Sequence, residues 1–312
     1  LAARAAPGGA PVAPPLWPTI AALTERTAAD LAQALAAALE PTRASRLARG
    51  YKTGKRVDMR AVVAYVASGY RRDRIWMRRT RPDARAYRVA LVVDDSRSVA
   101  DAGVAPFAVE AVAATARALG RADLGDLAVL ACGGGSGARL LHPFGAPLDD
   151  SAVAATVAGL SFAADATVGD TPAADALLAA GALLDADGGG GGGLGPLAQL
   201  VVVVGDGRFH EKAGLRAAAA SLAARPGVLL VYVALDSASG GEGGPGASRA
   251  PTSLADLRTI SFSPDGAPRA TPYLDDFPFP HYVVLRRAAG LPAALGGVVR
   301  AWLEAARAAG GG

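Results

Sequence analysis

The 312-residue chain has a single cysteine, Cys132, which excludes a disulfide framework and any zinc site built on several thiolates. Its three histidines, His142, His210 and His281, are too scattered to form a His-rich metal site by spacing. Lysine is nearly missing: Lys52, Lys55 and Lys212 are the only three among 32 basic residues, and the rest are Arg. Aromatics make up 5% and charged residues 19%, the latter below the roughly 25% usual for soluble domains. No apolar run approaches the 18 residues that a membrane-spanning helix needs, so no membrane partner is expected. The opening Leu1-Ala2-Ala3-Arg4 has neither an initiator Met nor the apolar core of a signal peptide, and the chain is expected to be a fragment of something longer.

What is abundant is alanine, glycine and proline, the last two at 39 and 21 residues. Charge is unevenly spread. Arg43 to Arg88 holds 15 basic residues against three acidic ones, a net of +12. The remainder holds 17 against 25, a net of −8. The formal +4 is thus a basic block joined to an acidic globular part. This gives an expected division into residues 1–42, an Ala/Pro-rich lead-in with one helix; 43–87, a basic extension packing on the domain; and 88–309, the domain itself, with flexible segments at 187–196 and 237–280. The first of these segments contains six consecutive glycines, Gly188 to Gly193, and the second is long and rich in Gly, Ser and Pro.

In the lead-in, Ile20, Leu23, Leu31, Leu35 and Leu39 recur with helical spacing, which predicts a helix over 19–40 ended by Pro41. In the basic block, Asp58 is a fair N-cap for a short helix to Ser68. From Arg88 strands and helices alternate. Continuous apolar runs at 89–93, 200–204 and 228–235 are those of strands covered on both faces. Strands at 127–132 and 139–144 read as a hairpin across a Gly-rich turn, 282–285 as a last strand. Helices are expected at 104–119, 150–159, 171–186, 210–224 and 291–308. The fold class is therefore α/β, a mostly parallel sheet flanked by helices.

In such sheets ligands bind at the carboxyl ends of the strands. The first central strand is followed by Asp94-Asp95-Ser96-Arg97-Ser98, the second by Gly205-Asp206-Gly207, and Gly169-Asp170-Thr171 precedes the helix at 171–186. Two carboxylates and three hydroxyls would converge at one end of the sheet. All are hard oxygen donors, which suits Mg²⁺, or Mn²⁺ or Ca²⁺, and not zinc. A tight loop leaving a strand turns alternate side chains to one point, so the register Asp94-x-Ser96-x-Ser98 is productive. A register starting at Asp95 would bring in Arg97 and Val99, so Asp95 is expected to serve a loop hydrogen bond or an Arg instead. Two carboxylates balance one divalent ion, and five side chains leave a position open. With no general base or nucleophile nearby, a carboxylate from a partner protein fits that position better than a reaction does.

This arrangement resembles the von Willebrand factor A family and its metal-ion-dependent adhesion site. The resemblance implies that Asp94, Ser96, Ser98, Thr171 and Asp206 are the site residues, with Thr171 preferred to Thr167 because it immediately precedes a helix. It also implies that an acidic side chain of a ligand completes the metal's shell. Two further stretches, Tyr51 to Pro82 leading into DDSRSV, and DDFPFPHYVVLRRAAGLPAALGGVVRAWLE from Asp275 to Glu304, are similar to the C-terminal part of the midasin family. Those are nuclear AAA-type ATPases of large ribosomal subunit assembly. The resemblance covers about residues 50 to 306. It implies a non-enzymatic, metal-dependent domain that grips ubiquitin-like domains of ribosome assembly factors, works with the AAA ring of its own parent chain, and resides in the nucleus and nucleolus.

Other readings are weaker. Gly50-x-x-x-Gly54-Lys55-Arg56 is one residue short of a phosphate-binding loop and has Arg where Ser or Thr must hold Mg²⁺. No G-x-S-x-G nucleophile elbow exists. Cys132 ends a strand and is expected to be a buried thiol, while His210 is the one histidine near enough to Asp206 to meet a partner. The basic block admits three roles: a structural cover, contact with pre-ribosomal RNA through Arg and interleaved aromatics, or nuclear import. A von Willebrand factor A domain of another system, such as a metal chelatase subunit, is the remaining alternative, and the two terminal stretches argue against it.

Overall fold

The computed structural model describes residues 16–39, 47–79, 87–122, 125–133, 137–163, 172–186, 199–209, 211–236, 253–262 and 268–310. Two compact units divide the chain, residues 39–85 and all the rest.

The smaller unit holds three short strands, β1 (Leu47–Tyr51), β2 (Arg56–Val57) and β3 (Trp76–Arg79), in the order β1-β3-β2, both pairings antiparallel. Between β2 and β3 lies α2 (Met59–Ala67). Asp58 caps it as expected, its side chain accepting from the Arg60 N–H at 3.1 Å, while its own N–H donates to the Ile75 carbonyl. The strands escape a periodicity reading because they are two to five residues long and Arg-rich. Gly54, which resembled part of a phosphate loop, lies against the Met77 backbone, where a Cβ would collide with the carbonyl.

The larger unit is built on a six-stranded sheet. Its strands are β4 (Tyr87–Asp94), β5 (Gly125–Cys132), β6 (Ala138–His142), β7 (Gln199–Gly205), β8 (Val228–Leu235) and, after the hairpin β9 (Arg258–Phe262) and β10 (Pro268–Pro272), β11 (Tyr282–Leu285). The order is β11-β8-β7-β4-β5-β6, parallel throughout except for β6, which pairs antiparallel with β5 as the hairpin reading expects. The β9–β10 hairpin lies within 237–280 and has no counterpart in the sequence reading.

The continuous apolar runs are central strands: Val89 to Val93, Val201 to Val204 and Val228 to Leu235 are almost wholly buried. On one face Ala90, Val92, Val203, Leu230 and Tyr232 meet α6 (Pro172–Ala186) and α7 (Ala213–Ala223) through Leu177, Leu184, Leu215 and Leu222. Helix α4 (Ala105–Ala122) packs on β4, β5 and β7, and α8 (Leu291–Gly310) on β8. Much of the interface is alanine, which lets helix axes approach closely but offers less apolar area per residue than Leu, at roughly 25 cal/mol per Å².

The N-terminal helix α1 (Leu16–Leu39) belongs to this larger unit, although the sequence sets residues 1–42 apart as a lead-in. The reason is tertiary. Ala28, Leu31, Leu35 and Ala38 are buried, and Ala34 lies so near Gly296 of α8 that a Cβ there would be 3.0 Å away. Arg117 of α4 donates to the Ala21 carbonyl at 2.7 Å and to Glu25 at 2.9 Å. No helix among the described residues is long and apolar enough to cross a membrane.

Candidate metal centre

Strand β4 connects onward to β5 on one side of itself, and β7 connects onward to β8 on the other. The crevice beyond their carboxyl ends is therefore the point where the winding of the sheet reverses, the usual place for a ligand in such folds. Val93 is paired with Val204, so Asp94 and Gly205 end their strands side by side.

Gly205 is needed there. A Cβ on it would stand 2.5 Å from the Tyr232 Oη, 2.8 Å from the Asp94 Cβ and 3.0 Å from its Oδ2. The missing side chain lets the two acidic loops close on each other. Gly207 then turns the chain with φ +70°, and two tyrosines hold the turn. The Tyr232 Oη accepts from the Gly207 N–H at 3.0 Å. The Tyr273 hydroxyl donates to the Gly207 carbonyl and accepts from the Phe209 N–H, both at 2.9 Å.

Asp94 accepts from the Ser96 N–H at 3.0 Å, and the Ser96 and Ser98 Oγ atoms lie 2.8 Å apart. Residue 97 between them is exposed. Ser96 is the N-cap of a short helix, α3 (Arg97–Asp101), and Ser98 lies in its first turn, so Asp94, Ser96 and Ser98 converge where the sequence expects them to. Asp206 is only 2% exposed. Its Oδ1 accepts from the Arg208 N–H at 3.1 Å, while its Oδ2 is buried without any hydrogen-bond partner.

The electrostatics match. Burial, and then the Asp206 charge, push the Asp94 carboxyl up to about 6 from an ordinary 3.8, against the pull of Ser96. Burial raises Asp206 as well, partly offset by the Arg208 N–H and the Ser98 hydroxyl. The Tyr232 phenol is raised by burial and by both aspartates, so it stays neutral. Two interacting carboxylates, one with an oxygen buried and unpartnered, are costly unless a cation joins them. The donor set is hard oxygen throughout. Among the described residues no three His, Cys, Asp or Glu side chains gather into a metal cluster.

Asp94, Ser96, Ser98 and Asp206 are thus brought together. Thr171 lies outside the described residues, as do Thr167 and His210. Asp95 faces away, as expected, and meets both a loop and an Arg: Ser161 and Phe162 donate backbone N–H groups to it, and Arg139 its guanidinium at 2.8 Å. Cys132 is buried, and burial raises its thiol far above the usual range. The sequence reading did not name Tyr232 or Tyr273. Tyr232 sits inside an apolar strand run, and Tyr273 is 66 residues from its partner Gly207, so neither carries a local signal.

No family model matches the sequence. Among solved structures, a von Willebrand factor type A protein from Catenulispora acidiphila is 15% identical with a TM-score of 0.40, over 72% of this chain and 43% of that one. Among curated proteins, Midasin of Giardia intestinalis is 32% identical over 285 residues, 90% of this chain and 5% of that protein. Midasin of Dictyostelium discoideum is 31% identical over 292 residues, 93% of this chain and again 5% of that protein. The chain therefore spans about a twentieth of the curated relatives it matches. Over this span the chain, an α/β domain with DDSRS at the end of β4, Asp206 beyond β7 and a mostly parallel sheet between helices, is similar to midasin.

Proposed function

We propose that Asp94, Ser96, Ser98 and Asp206, joined by Thr171, hold a divalent cation, Mg²⁺ in the first place, and that its open position takes a carboxylate from a partner protein. The observation that carries this reading is the buried, unpartnered Oδ2 of Asp206, next to the strand end where the Asp206 charge helps to raise the Asp94 carboxyl. A dication neutralises both charges, and Mg²⁺ calls for about six oxygens, more than these side chains supply. The partner class that follows from midasin kinship is a ubiquitin-like domain of a ribosome assembly factor, bound in the nucleus and pulled by the ATPase ring of the parent chain. Affinity would come from a carboxylate entering a site preset for charge, which makes binding both metal-dependent and specific for an acidic anchor.

The test is calorimetric titration of the 312-residue chain with such a ubiquitin-like domain. Binding is expected with Mg²⁺, and is expected to vanish in EDTA and in Asp94→Ala and Thr171→Ala, whose circular dichroism stays that of the parent. Binding unchanged in EDTA sinks the metal bridge.

A second reading concerns the smaller unit. Tyr70 is 67% exposed and is followed by Arg71 and Arg72, also exposed, which suits contact with RNA bases and phosphates. It predicts RNA affinity that falls steeply with salt and is indifferent to Asp94→Ala.

A further inference from the structure

The doubled aspartate at the end of β4 invites the question of what Asp95 does. It is 3% exposed, as buried as many core residues. Four donors from three residues share its carboxylate. Oδ1 accepts the N–H groups of Ser161 at 2.7 Å and Phe162 at 2.6 Å. Oδ2 accepts from the Ser161 hydroxyl at 3.2 Å and from Arg139 of β6 at 2.8 Å. The same Arg139 nitrogen donates to the Gly159 carbonyl at 2.7 Å, where α5 (Asp150–Ala158) ends. Both oxygens are engaged, so Asp95 has nothing to spare for a cation.

The backbone around Asp95 is equally constrained. Its N–H donates to the Cys132 carbonyl at 2.7 Å. The residue after β5, Gly133, is so near that a Cβ there would meet the Asp95 carbonyl carbon at 2.9 Å and the Ser96 nitrogen at 3.0 Å. On the far side Phe162 has φ +50°, a left-handed conformation that a bulky residue seldom adopts unless its surroundings impose it. The two N–H groups that Asp95 accepts belong to this turn.

In an extended segment successive side chains point to opposite sides. Anchoring Asp95 on one side therefore sets Asp94 and Ser96 on the other, toward Asp206. We propose that Asp95 is a positioning residue of the metal centre, locking the 94–98 loop to Arg139 and the Ser161–Phe162 turn so that its neighbours face the cation. The proposal rests on the metal-binding reading above. It divides the labour of the two aspartates: Asp94 faces the ion, and Asp95 holds the loop that presents it.

Mn²⁺ titration of the full 312-residue chain, read by electron paramagnetic resonance, tests it. Asp95→Ala is expected to weaken Mn²⁺ affinity at least tenfold. Asp95→Asn keeps an oxygen for both backbone N–H groups and is expected to stay within about threefold of the parent. Arg139→Met, which leaves Asp95 in place without its cationic partner, is expected to lose threefold or more, and serves if Asp95→Ala does not fold. Equal, severe losses in Asp95→Asn and Asp95→Ala would make Asp95 a charged ligand and overturn the proposal. Parent-like Mn²⁺ affinity in Asp95→Ala or, where that variant does not fold, in Arg139→Met, with binding abolished in Asp94→Ala, would reduce Asp95 to a purely structural role and overturn it too. Parent-like affinity in Asp94→Ala and Asp206→Ala would instead overturn the metal-binding reading.

Discussion

A buried carboxylate with nothing to bind weakens the protein that contains it, and Asp94 pays that cost in the absence of a cation. Its carboxyl is raised to about 6, so the folded state holds the proton more tightly than the unfolded chain does. The stability linked to this group is complete below the ordinary 3.8 and is lost as pH rises through about 6. The cation-free chain is therefore expected to be more stable at pH 5 than at pH 7.5, by about 1 kcal/mol from Asp94 alone, with Asp206 acting in the same direction. Asp94→Asn removes the repulsion. It is expected to flatten that pH dependence in urea unfolding and to raise cation-free stability at pH 7.5 by about 1 kcal/mol, while abolishing Mg²⁺ binding. An unchanged pH slope in the variant would disprove this account. The convergence of Asp94, Ser96, Ser98 and Asp206 was legible because DDSRS and Gly205-Asp206-Gly207 each follow an apolar strand run. The partners of Asp95 were not, since Ser161 is 66 residues away in the chain.

At the scale of the element, β7 shows how little room the centre leaves. Gly205 sits between the Tyr232 hydroxyl and Asp94, so Gly205→Ala forces the strand ends apart. The expected cost is about 3 kcal/mol in chemical denaturation, from overpacking of a closed contact, with loss of Mg²⁺ binding in calorimetry. In the smaller unit, Asp58 caps α2 and also lies 3.6 Å from Arg49. Asp58→Ala is expected to cost about 1 kcal/mol, measured as earlier loss of protection of the α2 amides in hydrogen exchange. Long apolar strands and capped or Ala-rich helices were readable because their period spans several repeats. β1, β2, β3 and the β9–β10 hairpin were not, because two to five residues rich in Arg, Thr or Pro carry no period to read.

At the scale of the whole molecule, a cation that binds the folded chain alone adds stability by mass action. Mg²⁺ at a hundred times its dissociation constant is expected to raise the unfolding free energy by about 2.7 kcal/mol, seen as a higher melting temperature that EDTA reverses. The larger unit carries the proposed metal centre and the smaller unit much of the basic charge, so substitutions in one are expected to leave the function of the other intact. Composition and periodicity by themselves determined the α/β class, the central strands and the basic block, and the DDSRS and Gly205-Asp206-Gly207 motifs pointed to four side chains of the proposed centre, because these depend on neighbours a few residues apart. Only the tertiary structure decided that α1 joins the sheet unit, that Gly205 must lack a side chain, that Tyr232 and Tyr273 hold the Gly207 turn, and that Asp95 points away from Asp206. Those outcomes depend on groups 25 or more residues apart that meet only once the sheet has formed, and close packing then dictates what fits between them.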